Sequence, residues 1–560
     1  MLRNILFASI LLISVGVSAD DNRIDLSVIN IPAELKKDAY AVVRNHNRSF
    51  VYHSPTSGTE KNILEITVLD KKGIQHANFS EYGDKFKKLK SFSAKLYDGA
   101  GNELKKYKMS DVGMSEWSSN LFSDDKMFYL EIESPSIPYT ITYEYETEWK
   151  NGIIYFPVFS PQSNYNVSVQ HADYKLTVPG NLEIQENRNS LVQPFIQTET
   201  KDAKTYIWTV NSLKSIVSEF FTPDIEEFIP RMFVSPKTFI YDNIPGDIST
   251  VEKMSEWQNK LNKDRNFLTP ETKAKIIELT KNVTTNREKV KILYDYLGQT
   301  TRYESINLGI GGFQPIAASE VCKTSFGDCK GLTNYLKAML EVIQIPSYYT
   351  IIRSDEEKKD LSNDFTSYLR TNHIILNVPL PNDTLWLECT NTNVPFGFVH
   401  NSISGHKAIL VTENDGKIVL LPDYPDSLNL DKSVMHVTLQ PNSEAKVSVQ
   451  KKYGIKVYDK VSSFTKADLK DQTDFLRKEI ILPNAQVSEI KFTDDKCSMP
   501  NLNINFNWTT PLFGSKTGNR MFIPINAMRE GYSGWKKNDR KYDLEINTGW
   551  KDVDSICIQL

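Results

Sequence analysis

"SFGDCKGLTNYLKAML", Ser325 to Leu340, sets a cysteine directly after a Gly-Asp pair, at the head of an amphipathic pattern. Leu332, Tyr335, Leu336, Met339, Leu340 and Ile343 recur at helical spacing, and Pro346 marks the end of that helix. Gly327 permits a tight approach and Asp328 is a good N-cap, so Cys329 falls in the first turn. Backbone N–H groups left unpaired there favour an anion, which suits a reactive thiolate. Two readings stand for Cys329: a nucleophile, or a small buried hydrophobe of the kind free cysteines commonly are.

A nucleophilic thiol needs a base, and the base needs a group that orients it. Among eight histidines, His373 is the best placed, at the start of the strand pattern "NHIILNVPL". A turn at Pro381-Asn382-Asp383 sends "TLWLECT" back antiparallel, which brings Glu388 beside His373 and turns Cys389 to the other face. Alone, His373 reads as an ordinary surface or core histidine; with Cys329 and Glu388 it forms an ordered Cys-His-Glu set. Cys322, Cys329, His373 and Cys389 can also be drawn as four zinc ligands. The Cys322-to-Cys329 spacing is, however, wider than the about two to four residues of structural zinc pairs.

"FGDCKGLTNYLKAML", "NHIILNVPL" and "LWLECT" resemble the transglutaminase-like superfamily, relatives of the papain-type cysteine peptidases. The preceding "NREKVKILYDYLGQTTRYESINLGIGGFQP" is similar to the helix and glycine-rich strand that lead into that family's cysteine. The specific match spans about Thr285 to Thr390. More loosely, the whole chain resembles bacterial exported proteins with an N-terminal β-domain of unknown function, such a core, and a C-terminal β-domain. The resemblance implies Cys329 as nucleophile, His373 as base, and Glu388 in the place of the usual aspartate.

Gln314, in "LGIGGFQP", reads either as an oxyanion donor beside the backbone N–H of Cys329 or as a strand-end glutamine. The glycines before it lack the spacing of a dinucleotide loop and read as letting the chain pass close to the site. His400 and His406 lie in loop-like sequence and read as structural.

Working outward, "TNREKVKILYDYLGQ" carries a capping box, Thr285 with Glu288, and an apolar stripe of Val290, Leu293, Tyr294 and Leu297. "LTPETKAKIIELT" has Thr269 as cap and Pro270 at the first helical position. With strands expected at "SYYTIIR", "NHIILNVPL" and "TLWLECT", residues 246–428 read as an α+β domain. In residues 20–245 the period is two. "YTITYEYETEW" alternates Tyr139, Ile141, Tyr143, Tyr145 and Trp149 with Thr140, Thr142, Glu144, Glu146 and Glu148, as a half-buried antiparallel strand requires. "SFSAKLYDGAGNELKKY" reads as a hairpin, and the recurring strands imply a β-sandwich. Period two returns in residues 429–560, in "VMHVTLQPNSEAKVSVQ", "LNINFNW" and "YDLEINTGW", as a second β-domain.

The chain opens with Arg3, an apolar run from Ile5 to Val17 and small residues through Ala19, the pattern of a secretory signal peptide over residues 1–19. No other apolar run approaches ~20 residues, so no transmembrane segment is expected in the mature chain. The protein is expected to be exported to the periplasm or beyond. A net charge of −4 with interspersed signs excludes the basic footprint of a nucleic-acid binder. The five cysteines are Cys322, Cys329, Cys389, Cys497 and Cys557, an odd count that leaves at least one thiol unpaired within the chain.

The expected function is a thiol enzyme, a peptidase, amidase or acyltransferase acting on amide bonds of peptides or proteins of the cell envelope, with no metal and no organic cofactor. The alternative is a catalytically silent envelope scaffold that keeps the fold.

Overall fold

The computed structural model describes residues 26–116, 121–134, 136–358, 361–413, 415–528 and 540–560. The signal-peptide pattern at 1–19 lies outside them. The protein is multidomain and strongly β-rich, and among the described residues no helix is long and apolar enough to cross a membrane.

The N-terminal region is built on one eight-stranded sheet. Its strands are β1 (Ala41–Ser54), β2 (Ser57–Val68), β3 (Lys87–Asp98), β4 (Glu103–Lys108), β5 (Tyr139–Lys150), β6 (Val167–Pro179), β7 (Ile196–Glu199) and β8 (Ala203–Leu213). They lie in the order β7-β8-β6-β1-β2-β5-β3-β4. The alternation in β5 holds: Tyr139, Ile141, Tyr143 and Trp149 are buried in one apolar cluster, while Glu144 is exposed. Smaller sheets of two and three strands complete this region. The join between β1 and β6 is parallel, Ala41 opposite Val167, where the sequence pattern implied antiparallel pairing. More than a hundred residues separate the two strands, ample for the long connection a parallel pair needs.

A buried ion cluster sits inside this sheet. Glu60 is fully buried, and Arg48 brings Nε and Nη2 to its Oε1 at 2.7 and 2.6 Å. Asn62 donates to the same oxygen (3.0 Å), while Trp149 Nε1 (3.1 Å) and Thr147 Oγ1 (3.2 Å) donate to Oε2. Lys87 stands 3.6 Å away. Burial opposes the charge on Glu60, but Arg48 and Lys87 hold its carboxyl well below the usual range.

The middle region puts helices on a five-stranded sheet. α1 (Val251–Asn262), α2 (Pro270–Thr280), α3 (Asn286–Thr300) and α4 (Cys329–Val342) precede β9 (Tyr348–Ile352), β10 (His373–Leu380), β11 (Asp383–Leu387), β12 (Lys407–Val411) and β13 (Lys417–Leu420). The antiparallel order is β11-β10-β9-β12-β13. Leu332, Tyr335, Leu336 and Met339 of α4 meet Leu293 and Leu297 of α3, and Leu376 and Val378 of β10. Thr285 caps α3, accepting from the Glu288 N–H at 3.3 Å, and Thr269 caps α2 in the same way. The hairpin β12–β13 occupies sequence that reads as loop-like beyond Glu388.

The C-terminal region is a second five-stranded sheet around its own apolar cluster. Its strands are β14 (Leu430–Leu439), β15 (Ala445–Gly454), β16 (Gln486–Asp495), β17 (Asn501–Thr510) and β18 (Lys551–Gln559), ordered β16-β17-β15-β14-β18. "YDLEINTGW" does not join it as the strand its alternation implied. Its backbone reaches the N-terminal region instead: Tyr542 N–H to Glu219 Oε2 (3.4 Å) and Glu545 N–H to the Phe221 carbonyl (2.9 Å). The strand forms immediately afterwards, at Lys551.

Replacing Glu60 by glutamine strands Arg48 without its buried counter-charge, while Lys87 keeps Glu81 at 2.7 Å, and a stability loss of about 3–5 kcal/mol is expected in urea denaturation. The folded value of Glu60 is depressed, so its contribution is present above about pH 4.5 and fades as the pH falls below it. The gap between wild type and Glu60→Gln should narrow in acid; a gap that is constant with pH contradicts the ionic origin.

Candidate active site

Asp328 caps α4 with its Oδ1 accepting the Gly331 N–H at 2.8 Å, which makes Cys329 the first helical residue. A Cβ on Gly327 would meet Leu332 at 3.4 Å, an ordinary contact, so this glycine does not answer a tight approach. The Asp328 side chain is almost fully buried and also pairs with Lys330. Cys329 is half-buried and packs against the cluster of Trp257, Tyr349 and Tyr368, so one side of the thiol is dry.

The antiparallel hairpin β10–β11 brings His373 and Glu388 together. His373 Nε2 lies 2.8 Å from Glu388 Oε2, with only 13% and 4% of the two side chains exposed. Burial disfavours a charged imidazole, but the Glu388 carboxylate bonded to the ring and the nearby Cys329 outweigh it and raise His373 to about 10. Burial likewise disfavours the Glu388 carboxylate, and His373 and His400 reverse that, holding it well below the usual range. At neutral pH the pair is therefore an imidazolium and a carboxylate. With Nε2 engaged by Glu388, Nδ1 is the ring nitrogen left for the Cys329 thiol.

Glu388 has further partners that sequence reasoning missed. Its Oε1 accepts from the N–H of Thr390 (2.8 Å) and from the Thr390 hydroxyl. Its Oε2 accepts a second imidazole, His400 Nε2, at 3.0 Å. The "ECT" turn carried a visible cue for Thr390, since hydroxyl residues two positions from a carboxylate often close such turns. His400 carried none, because its approach depends on how the C-terminal region holds its loop. His406 is the other loop histidine, buried and tied through its backbone to Ile403 and Leu421.

Gln314, the expected oxyanion donor, has one of its two amide N–H groups and its oxygen engaged within the fold. Its Oε1 accepts from Arg265 (2.7 Å) and its Nε2 donates to the Leu261 carbonyl (3.1 Å), which fastens α1 to the segment before α4. Of the glycines preceding it, Gly309 needs its left-handed φ of 56° and packs against Lys85 of the N-terminal region. The other cysteines are dispersed: Cys322 lies near Thr272, Cys389 is buried, Cys497 and Cys557 are exposed, and all five thiols are free. The four-ligand set drawn from the sequence does not assemble: among the described residues no three His, Cys, Asp or Glu side chains gather as metal ligands. Burial pushes the Cys389 thiol up.

Residues 54–217 match a domain of unknown function with solved structure, DUF3857. No curated protein matches the chain. Among solved structures, a protein from Parabacteroides distasonis ATCC 8503, described as a "putative protease", is similar in fold. It covers 84% of this chain and 94% of its own at 13% identity, with a TM-score of 0.57. An M1 zinc metallopeptidase from Deinococcus radiodurans is matched over 36% of this chain and 44% of its own, at 10% identity and a TM-score of 0.20.

The carboxylate's hold on the ring has a measurable consequence. In Glu388→Gln, burial still disfavours the charged imidazole while its counter-charge is gone, so the His373 midpoint of about 10 should fall by about 1–3 pH units. Imidazole NMR titration of labelled protein checks this; an unmoved midpoint would mean Glu388 does not set the charge of His373. The raised value also means the pair's stabilising contribution is present below about pH 6.5 and lost as pH rises through about 10.

Proposed function

We propose that this protein is a transglutaminase-like thiol enzyme that acts on amide bonds of peptides or proteins in the cell envelope or outside it. The observation that supports the reading is the buried pair of His373 and Glu388, Nε2 to Oε2 at 2.8 Å, together with Cys329 at the N-terminus of α4. A nucleophile at a helix N-terminus, a base on a strand and an orienting carboxylate on the next strand are the parts that acyl transfer by a thiol requires.

In the proposed reaction the Cys329 sulfur attacks the amide carbonyl carbon. The carbonyl oxygen gains negative charge and is met by the Cys329 backbone N–H, an unpaired donor of the first turn of α4. His373, charged at neutral pH, gives its Nδ1 proton to the departing amine as the C–N bond breaks. The thioester that remains on Cys329 is then attacked by water or by an amine. His373 takes the proton of that second nucleophile and returns to its charged form as the acid product, or the new amide, leaves the thiolate. Glu388 stays ionised throughout and holds the ring. The set supplies nucleophile, acid and base from side chains alone.

Residues 20–245 and 429–560 serve in this proposal as flanking β-domains and 246–428 as the core, exported under the leader at 1–19. A scaffold that keeps the fold without turnover is the competing account. Incubation of the mature protein with a panel of peptide amides, followed by mass spectrometry, decides between them. A thioester adduct on Cys329 is expected, lost in Cys329→Ala and lowered by about 10⁴-fold in formation rate in Glu388→Gln, as for a triad whose acid is amidated. Adding a primary amine should divert part of the adduct to a new amide if transfer is the reaction. Full turnover by Cys329→Ala would contradict the account.

A further inference from the structure

The Glu388 carboxylate is approached by two histidines, and only one of them has a place in the proposed reaction. We infer that His400 is a positioning residue: it donates Nε2–H to Glu388 Oε2, locks the carboxylate in one orientation and so fixes the ring of His373, and the C-terminal region delivers it. The inference rests on the reading of Cys329, His373 and Glu388 as a catalytic set.

The hydrogen-bond chain behind His400 fixes its tautomer. Ser402 Oγ lies 3.0 Å from His400 Nδ1, and Ser354 Oγ lies 2.8 Å from Ser402 Oγ. With Ser402 donating to Nδ1, the ring proton resides on Nε2 and points at Glu388 Oε2, 3.0 Å away. Ser402 then accepts from Ser354, so the sequence Ser354, Ser402, His400, Glu388 runs with one donor direction.

Glu388 thereby receives four donors. His373 and His400 meet Oε2, and the N–H and hydroxyl of Thr390 meet Oε1. A carboxylate has about four lone-pair sites, so these saturate it. Without His400, one of the sites on Oε2 is empty in a nearly closed setting, and that oxygen is held by His373 alone. His373 then loses the fixed partner that aims it at Cys329.

What holds His400 in place belongs to the other side of the molecule. Two residues before it, Phe398 is buried in the apolar cluster of the C-terminal region, while the Val399 N–H is bonded at 3.0 Å to Tyr424 Oη of the core itself. One residue after it, Asn401 donates its N–H to Asp459 (2.9 Å) and its Nδ2–H to the Lys456 carbonyl (2.8 Å), both on the helix Ile455–Val461. The loop is pinned on both sides of His400 by the region that follows the core, which gives that region a part in the site.

The test needs no substrate. Iodoacetamide alkylation of Cys329, mapped by mass spectrometry in the full-length mature chain, is followed against pH for wild type, His400→Phe, His400→Gln, Ser402→Ala and Glu388→Gln. The wild type should react at about pH 6 faster than a model thiol, and Glu388→Gln should remove that advantage. Given that result, His400→Phe should move the acid limb of the profile up by about one pH unit, a loss of about tenfold at pH 6. His400→Gln, which keeps a side-chain N–H, should recover most of it, and Ser402→Ala should fall between. A merely structural role would lower stability without moving the limb. If His400→Phe leaves the limb in place, or His400→Gln falls as far as His400→Phe, the positioning role is wrong while the catalytic set survives. If the wild type itself reacts no faster than a model thiol, the catalytic set fails and the role of His400 goes with it. Should His400→Phe not fold, Ser402→Ala takes its place: a raised acid limb supports the positioning role, and a limb that coincides with wild type overturns it.

Discussion

A carboxylate with 4% of its side chain exposed is the constraint around which the site is organised. An unpaired buried carboxylate costs several kcal/mol, so Glu388 either takes up a proton or gathers donors. It gathers donors from separate parts of the chain: His373 from β10, Thr390 from its own turn, and His400 from the loop beyond. Its backbone carbonyl takes a further bond, from Tyr294 Oη on α3 at 2.8 Å. Those bonds fix the register of β11 against β10 and the approach of α3 to the sheet. They also hold the His373 ring, its pKa raised to about 10, in the part of the site where the N-terminus of α4 presents Cys329.

The flanking β-rich regions close on this core from two sides. On one, Gln185 of the N-terminal region donates Nε2–H to the Thr366 and Ile248 carbonyls, and Asp242 of that region accepts the Ile310 N–H at 3.2 Å. On the other, the loop carrying His400 is threaded into the C-terminal region, and residues 540–550 of that region run back to Glu219 and Phe221. A cavity of about 920 Å³ opens where these parts meet, bordered by Asp355, Asn401, Lys456, Glu545 and Trp550. The middle helices and sheet are therefore held from both flanks, a geometry that favours fixed side-chain angles at the site over local opening.

What the sequence disclosed follows from how local each signal is. The cap at Asp328, the stripe of α4 and the hairpin that returns Glu388 to His373 are set by residues within a few positions of one another, and periodicity exposes such patterns directly. For Gln314 the sequence is silent on its partners: Arg265 and Leu261, some fifty positions earlier in the chain, take its oxygen and one of its N–H groups. His400 escapes notice for the same reason: the side chains that place it belong to residues 424 and 459. "YDLEINTGW" alternates like a strand, yet its N–H groups pair with Glu219 and Phe221, distant in sequence, and not with a sheet edge. The ion cluster at Glu60 lies hidden in alternation, since a glutamate on an inward position looks like a register error until Arg48 and Lys87 are seen beside it. The parallel join of β1 and β6 is a long-range choice to which period two is blind.

The central proposal is that Glu388 holds His373 as the charged partner of the Cys329 nucleophile. Ultraviolet thiolate absorbance of the mature protein at about pH 6, taken as the difference between wild type and Cys329→Ala, measures this without any substrate. A difference close to one thiolate per chain is expected, disappearing when His373 is replaced by alanine. No difference between wild type and Cys329→Ala, or a difference that survives the loss of His373, would contradict it.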